Sequence, residues 1–161
     1  MKKLSQLLIV VLFLGSLFAW YTVYQDFSRF YGFYHTIFRV KNCSVPNPIV
    51  TPCFYGAFAF VIALGWSLSI LKSGAEAQPK RYRHLLWFLI GANIFAWSNF
   101  SLGLIKWLQA GGKPIVGCSG LITSNPFTTP CFIGSAFFFL ALLVCVFLTS
   151  KFVKPVTPVK L

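Results

Sequence analysis

Four stretches of this chain are each apolar over the roughly 20 residues that a helix needs to cross the hydrocarbon layer of a bilayer: positions 4–24, 52–71, 85–108 and 130–152. Backbone polar groups left unsatisfied in lipid are costly, so such stretches fold as helices. The expected fold is therefore all-α: a four-transmembrane-helix bundle forming a single membrane domain over 1–161. The composition agrees, with 57% of residues hydrophobic and only 10% charged, less than half the charged share of a soluble domain.

The net charge is +12, from 14 Lys and Arg against only Asp26 and Glu76. The basic residues lie between the apolar stretches. That is the pattern of topology signals and anionic-lipid contacts, with no basic groove left for nucleic acid. Nine of them (Lys2, Lys3, Lys72, Lys80, Arg81, Arg83, Lys151, Lys154 and Lys160) fall on one side of the expected spans. Five (Arg29, Arg39, Lys41, Lys106 and Lys113) fall on the other. The excess marks the cytoplasmic side, so both termini and the loop between the second and third spans are expected there. The first stretch has the basic start of a signal peptide. However, its "FAW" at 18–20 recurs at 95–97 inside an internal span, which reads as a retained helix.

The recurrence is general. "NPIVTPCFYG" at 47–56 returns as "NPFTTPCFIG" at 125–134, an offset of 78, and Ala63-Leu64 returns as Ala141-Leu142. The chain thus divides into repeat one, 1–77, and repeat two, 78–161, each a helix, an outer loop with a Cys pair, and a helix. An even number of spans per unit gives both copies the same orientation, related by a pseudo-two-fold axis along the membrane normal. The small residues Gly15 and Ala19, their equivalents Ala92 and Ala96, and the repeated Gly56 and Gly134 are expected on helix seams, where small side chains let backbones approach.

In the repeated phrase, Asn-Pro marks a turn. Thr51 and Thr129 read as N-caps, with Pro52 and Pro130 at the first helical position. Cys53 and Cys131 then fall in the first helical turn at the outer surface. Cys43 and Cys118 lie nine and twelve intervening residues upstream. Four cysteines allow three pairings; local spacing favours Cys43–Cys53 and Cys118–Cys131. These would be disulfides on the oxidising side, each worth about 3 kcal/mol in the chain-entropy model. Cys145, mid-span, reads as a small buried hydrophobe.

A thiol near a helix N-terminus sits where the dipole favours the reactive thiolate, and Cys53 and Cys131 occupy such positions. Four spans, inner termini and a Cys pair in each outer loop resemble the membrane disulfide-forming oxidoreductases, the bacterial disulfide-bond formation protein B family and its vitamin K epoxide reductase relatives. That resemblance covers the topology of the whole chain. It implies electron transfer from exported thiols through Cys43, Cys53, Cys118 and Cys131 to a bound quinone. The Cys-x-x-Cys pair of those families is absent here.

No metal site is expected, since His35 and His84 fall on opposite sides, as do the two acids. Asn93, Ser98 and Asn99 in the third span read as seam hydrogen bonders. The segment 25–42 carries an aromatic stripe, Phe27, Phe30, Tyr31, Tyr34 and Phe38, with Asp26, Arg29, Thr36 and Arg39 off it. This spacing predicts an amphipathic helix that lies in the outer headgroup layer or folds over the bundle; the sharper reading is a docking surface for a membrane partner, and a second copy of the chain is another candidate partner. The sequence alone supports first a non-catalytic structural or partner-binding membrane component without a cofactor, its common partner being the lipid bilayer. The quinone-linked thiol–disulfide oxidoreductase is the alternative.

Overall fold

A computed structural model describes residues 2–38, 45–74, 76–117 and 121–152. The protein is all-helical in its spans. α1 covers Lys2–Tyr34, α2 Pro52–Lys72, α3 Gln78–Gln109 and α4 Pro130–Phe152. All four are long and apolar enough to cross a membrane. Short 3-10 turns, Pro48–Val50 and Pro126–Thr128, precede α2 and α4. A small antiparallel ladder, β1 (Ile115–Val116) with β2 (Ile122–Thr123), lies in the loop after α3 and pairs Ile115 with Thr123.

The helices alternate in direction around the bundle. α1 packs on α2 and α4, and α3 on the same two; α2 and α4 also touch across the middle. Ring contacts fix the α1–α2 register: Trp20 meets Phe58 at 5.3 Å and Phe27 meets Phe54 at 6.1 Å. The buried set joins small side chains, among them Ser16, Ala19, Ala57, Ala63, Ser67, Ser135, Ala141 and Cys145, with bulky ones such as Leu8, Leu12, Phe60, Tyr82, Leu85, Leu89 and Phe138, while other bulky residues such as Leu7, Phe13, Leu17, Ile62, Trp87, Ile94 and Phe147 face outward.

The buried positions keep a constant register between the halves. Every buried residue of α2 (Ala57, Phe60, Ala63, Ser67 and Ile70) has a buried counterpart 78 positions on in α4: Ser135, Phe138, Ala141, Cys145 and Leu148. The five buried residues of α3 (Tyr82, Leu85, Leu89, Asn93 and Phe100) each answer a buried residue 77 positions earlier in α1: Ser5, Leu8, Leu12, Ser16 and Val23.

The aromatic segment does not form a separate helix. α1 runs without a break to Tyr34, ten residues past the end expected from the apolar stretch, and closes at His35 with φ 51°. Phe30 is fully buried and Phe27 packs on the core, whereas Tyr31 is exposed and Phe38 lies beyond the helix. Asp26, placed by its spacing on the polar face, is turned inward instead and is 5% exposed. Its carboxylate is ion-paired with Arg29 one turn on, which is what allows an acid to be buried there.

Candidate thiol site at the N-terminal ends of α2 and α4

Each copy of the repeated phrase folds in the same way. The Asn47 side chain accepts from the Ile49 N–H at 3.0 Å, and Asn125 accepts from Phe127 at 3.0 Å. These Asx turns start the two 3-10 turns. The Thr51 hydroxyl donates back to the Pro48 carbonyl at 2.7 Å, and Thr129 to that of Pro126 at 2.6 Å. Thr51 is therefore an N-cap by position but not by side chain. Its hydroxyl closes the preceding turn, and only Thr129 also accepts, at 3.4 Å, from Phe132. Pro52 and Pro130 open the helices, where a missing N–H costs nothing. The following residue in each case is a cysteine.

Those two cysteines meet. The Cys53 and Cys131 Sγ atoms are 3.9 Å apart, against about 2.05 Å in a formed disulfide. They are neighbours without a bond between them. About two turns below, Phe60 and Phe138 stack with centroids 3.8 Å apart and planes at 13°. Between the sulfurs and the rings lies a cavity of about 50 Å³. It is lined by Cys53, Gly56 and Phe60 on one side and by Cys131, Gly134 and Phe138 on the other. Phe18, Ala19 and Thr22 of α1 and Phe95, Ala96 and Asn99 of α3 complete the wall. The Thr22 hydroxyl donates to the Ala19 carbonyl at 2.7 Å and the Asn99 amide to that of Phe95 at 2.8 Å. Cys43 and Cys118, the expected loop partners, lie outside the described residues.

The small residues divide into two kinds. Gly15 lies close against α2: a methyl group there would stand 2.5 Å from Cε1 of Phe60. Ala19 is buried, Ala92 and Ala96 pack against the core, and Ala19 and Ala96 also border the cavity. Gly56 and Gly134 make no close approach. Nothing lies within 4 Å of where their Cβ would be, and both open onto the cavity. Among the polar residues of α3, Asn93 bridges helices by donating to the Phe138 carbonyl of α4 at 2.9 Å. Asn99 bonds only its own helix. At the opposite end of the bundle Ser5 and Tyr82 share a hydrogen bond of 2.8 Å, and Cys145 is fully buried beside the Tyr82 carbonyl.

Sequence spacing missed two features of the site. One is the sulfur–sulfur contact, which joins the two copies of the phrase, whereas spacing speaks only of neighbours within a loop. The other is Asp26. Its buried carboxylate is ion-paired with Arg29, and among the described residues its Oδ2 has no hydrogen-bond partner. Its counterpart 77 positions on is Gly103, so the second copy has no acid there. A quinone, implied by the family resemblance, does not fit between α2 and α4. The cavity holds a few water molecules at most and falls well short of the 300 Å³ or more typical of ligand pockets.

No protein-family model matches this chain, and searches of curated proteins and of solved structures likewise give no match.

Proposed function

We propose that the chain is a four-span integral membrane protein of two tandem repeats, and that its outer cysteines perform thiol–disulfide exchange. The repeat reading is supported by which residues touch. A residue contacts its own equivalent only near a two-fold axis. Cys53 with Cys131 and Phe60 with Phe138 are equivalents at 78, and Ser5 with Tyr82 are equivalents at 77. An axis along the bundle, between α2 and α4, accounts for all three pairs.

The observation that carries the exchange reading is the 3.9 Å approach of the Cys53 and Cys131 sulfurs. Exchange proceeds by attack of a thiolate on one sulfur of a disulfide, so the attacking and attacked sulfurs must be neighbours. With Cys118–Cys131 oxidised and repeat one reduced, the Cys53 thiolate attacks the Cys131 sulfur. A Cys53–Cys131 bond forms, the Cys118–Cys131 bond breaks, and Cys118 leaves as the thiolate. Attack by Cys43 on Cys53 then releases Cys131 and completes the Cys43–Cys53 bridge. Two electrons have passed from the pair of repeat one to that of repeat two, and no oxidant has been consumed. An exported dithiol that reduces either loop bridge would feed the same exchange. No step is assigned to a quinone.

The test is to equilibrate the full chain in bilayers across a series of glutathione redox buffers, quench with acid, and map the bridges by non-reducing digestion and mass spectrometry. Exchange requires a Cys53–Cys131 linkage at intermediate potentials beside Cys43–Cys53 and Cys118–Cys131. If only the two local bridges occur at every potential, the cysteines are static clips and the non-catalytic structural reading stands.

A further inference from the structure

At the end of the bundle away from the cysteines, α3 and α4 part to leave a groove of about 600 Å³. Its walls change character along their length. Lys80 and Arg83, from the first turns of α3, border the outer part, and Leu86 of α3 and Val146 of α4 line the part nearer the bundle centre. Lys80 and Arg83 are three apart, on one helix face, and both are exposed. Neither is in an ion pair among the described residues, where the salt bridge is that of Arg29 and Asp26. Glu76 also borders the groove, so two cations face one carboxylate. The start of α3 adds the positive end of its dipole. From Lys80 to Leu86 is about 9 Å along the helix.

Charge at the helix end followed by an apolar wall toward the centre matches an amphiphile standing in the bilayer. It does not match a soluble anion, which would leave Leu86 and Val146 uncovered. Basic recesses between membrane helices are sites of this kind. We propose that this groove holds one anionic phospholipid. Its phosphate sits between Lys80 and Arg83, its acyl chain runs along Leu86 and Val146, and the hydroxyls of a glycerol headgroup donate to Glu76. The net charge of the groove then matches a headgroup carrying a single negative charge.

The full chain, purified in a mild detergent and offered equal amounts of phosphatidylglycerol, phosphatidylethanolamine and phosphatidylcholine, is analysed by native mass spectrometry. The expected result is one retained phosphatidylglycerol per chain, in clear excess over the other two. Lys80→Gln with Arg83→Gln lowers its retention roughly thirtyfold, taking about 1 kcal/mol for each basic residue. The same two-charge loss at Lys2 and Lys3, which do not border the groove, lowers it far less. Leu86→Trp fills the apolar part and reduces retention with every charge in place, which separates the site from general surface charge. Equal retention of the three lipids, or full retention by the Lys80/Arg83 variant, overturns the proposal. Displacement by millimolar inorganic phosphate would show a free-anion site, and a dimer that excludes lipid would assign the groove to a second copy; either result overturns it as well.

Discussion

Gly15 is the position where one methyl group has most to meet. The ring of Phe60 stands where its Cβ would be, and that ring cannot swing away because its other face is stacked on Phe138. Gly15→Ala is expected to destabilise the bundle by about 1–3 kcal/mol, the usual cost of overpacking, despite the better helix propensity of alanine. Gly65→Ala is the control. It sits in α2 with open space around its Cβ, so the change should be neutral or slightly stabilising. Thermal unfolding of both variants in the same detergent checks the pair, and equal midpoints would remove Gly15 from the seam. At the cysteines, Cys43→Ser takes away the thiol that would resolve a bond to Cys53. Under the exchange reading a non-reducing gel of that variant should show a lasting adduct with an exported protein or an accumulated Cys53–Cys131 bridge, at unchanged abundance. Loss of protein with neither species would instead mark Cys43 as structural.

At the level of helices, the α2–α4 contact concentrates on few side chains, and the Phe60–Phe138 stack is its centre. Phe60→Ala and Phe138→Ala should each cost about 3–5 kcal/mol by cavity formation. The double change should cost less than the sum by about 0.5–1.5 kcal/mol, the coupling of an aromatic pair. A double-mutant cycle by denaturant titration measures this, and strict additivity would mean the rings are independent. Much of this level was legible in the sequence. Pro52 and Pro130 start α2 and α4 as expected, because proline at that position reflects a local backbone constraint. The register of 78 appears unchanged in the buried faces of α2 and α4, where each buried position keeps its place although only Phe60 and Ala63 recur as the same residue type. What was not legible has physical causes. A glycine looks alike in sequence whether a helix packs against it, as at Gly15, or whether it borders open space, as at Gly56 and Gly134. The apolar stretch ends at Tyr24, before the polar Gln25 and Asp26. The acid is nevertheless buried with Arg29 beside it, and the helix continues. The meeting of Cys53 with Cys131 depends on how α2 and α4 cross, and spacing along the chain carries no record of that crossing.

For the molecule as a whole, the alternating helices collect the charges at two ends. Among the described residues Lys2, Lys3, Lys72, Lys80, Arg81, Arg83 and Lys151 stand at one end. Arg29, Lys106 and Lys113 stand at the other. Arg29 is ion-paired with Asp26 and Glu76 lies at the Lys80 end, so one acid offsets each end and the difference between the ends remains that of the basic residues. Arg39 and Lys41, outside the described residues, belong by sequence to the second group and leave the sign of the difference unchanged. Basic ends are retained in the cytoplasm, so the Lys80 end should face inward and the cysteine end outward. That orientation is also the one the proposed exchange requires, since disulfides persist on the outer, oxidising side and not in the cytosol. The turn between α2 and α3, near Ala77, and the C-terminus after Leu161 must then share one compartment. Alkaline phosphatase, which is active only outside the cytoplasm, should be silent when fused at Ala77 or Leu161 and active when inserted near Gly112. A cytoplasm-active reporter should give the reverse pattern at all three positions. Phosphatase activity at Ala77 would place the cysteines in the reducing compartment and remove the exchange reading together with the orientation; the fold, and the contact between the two sulfurs, would stand without it.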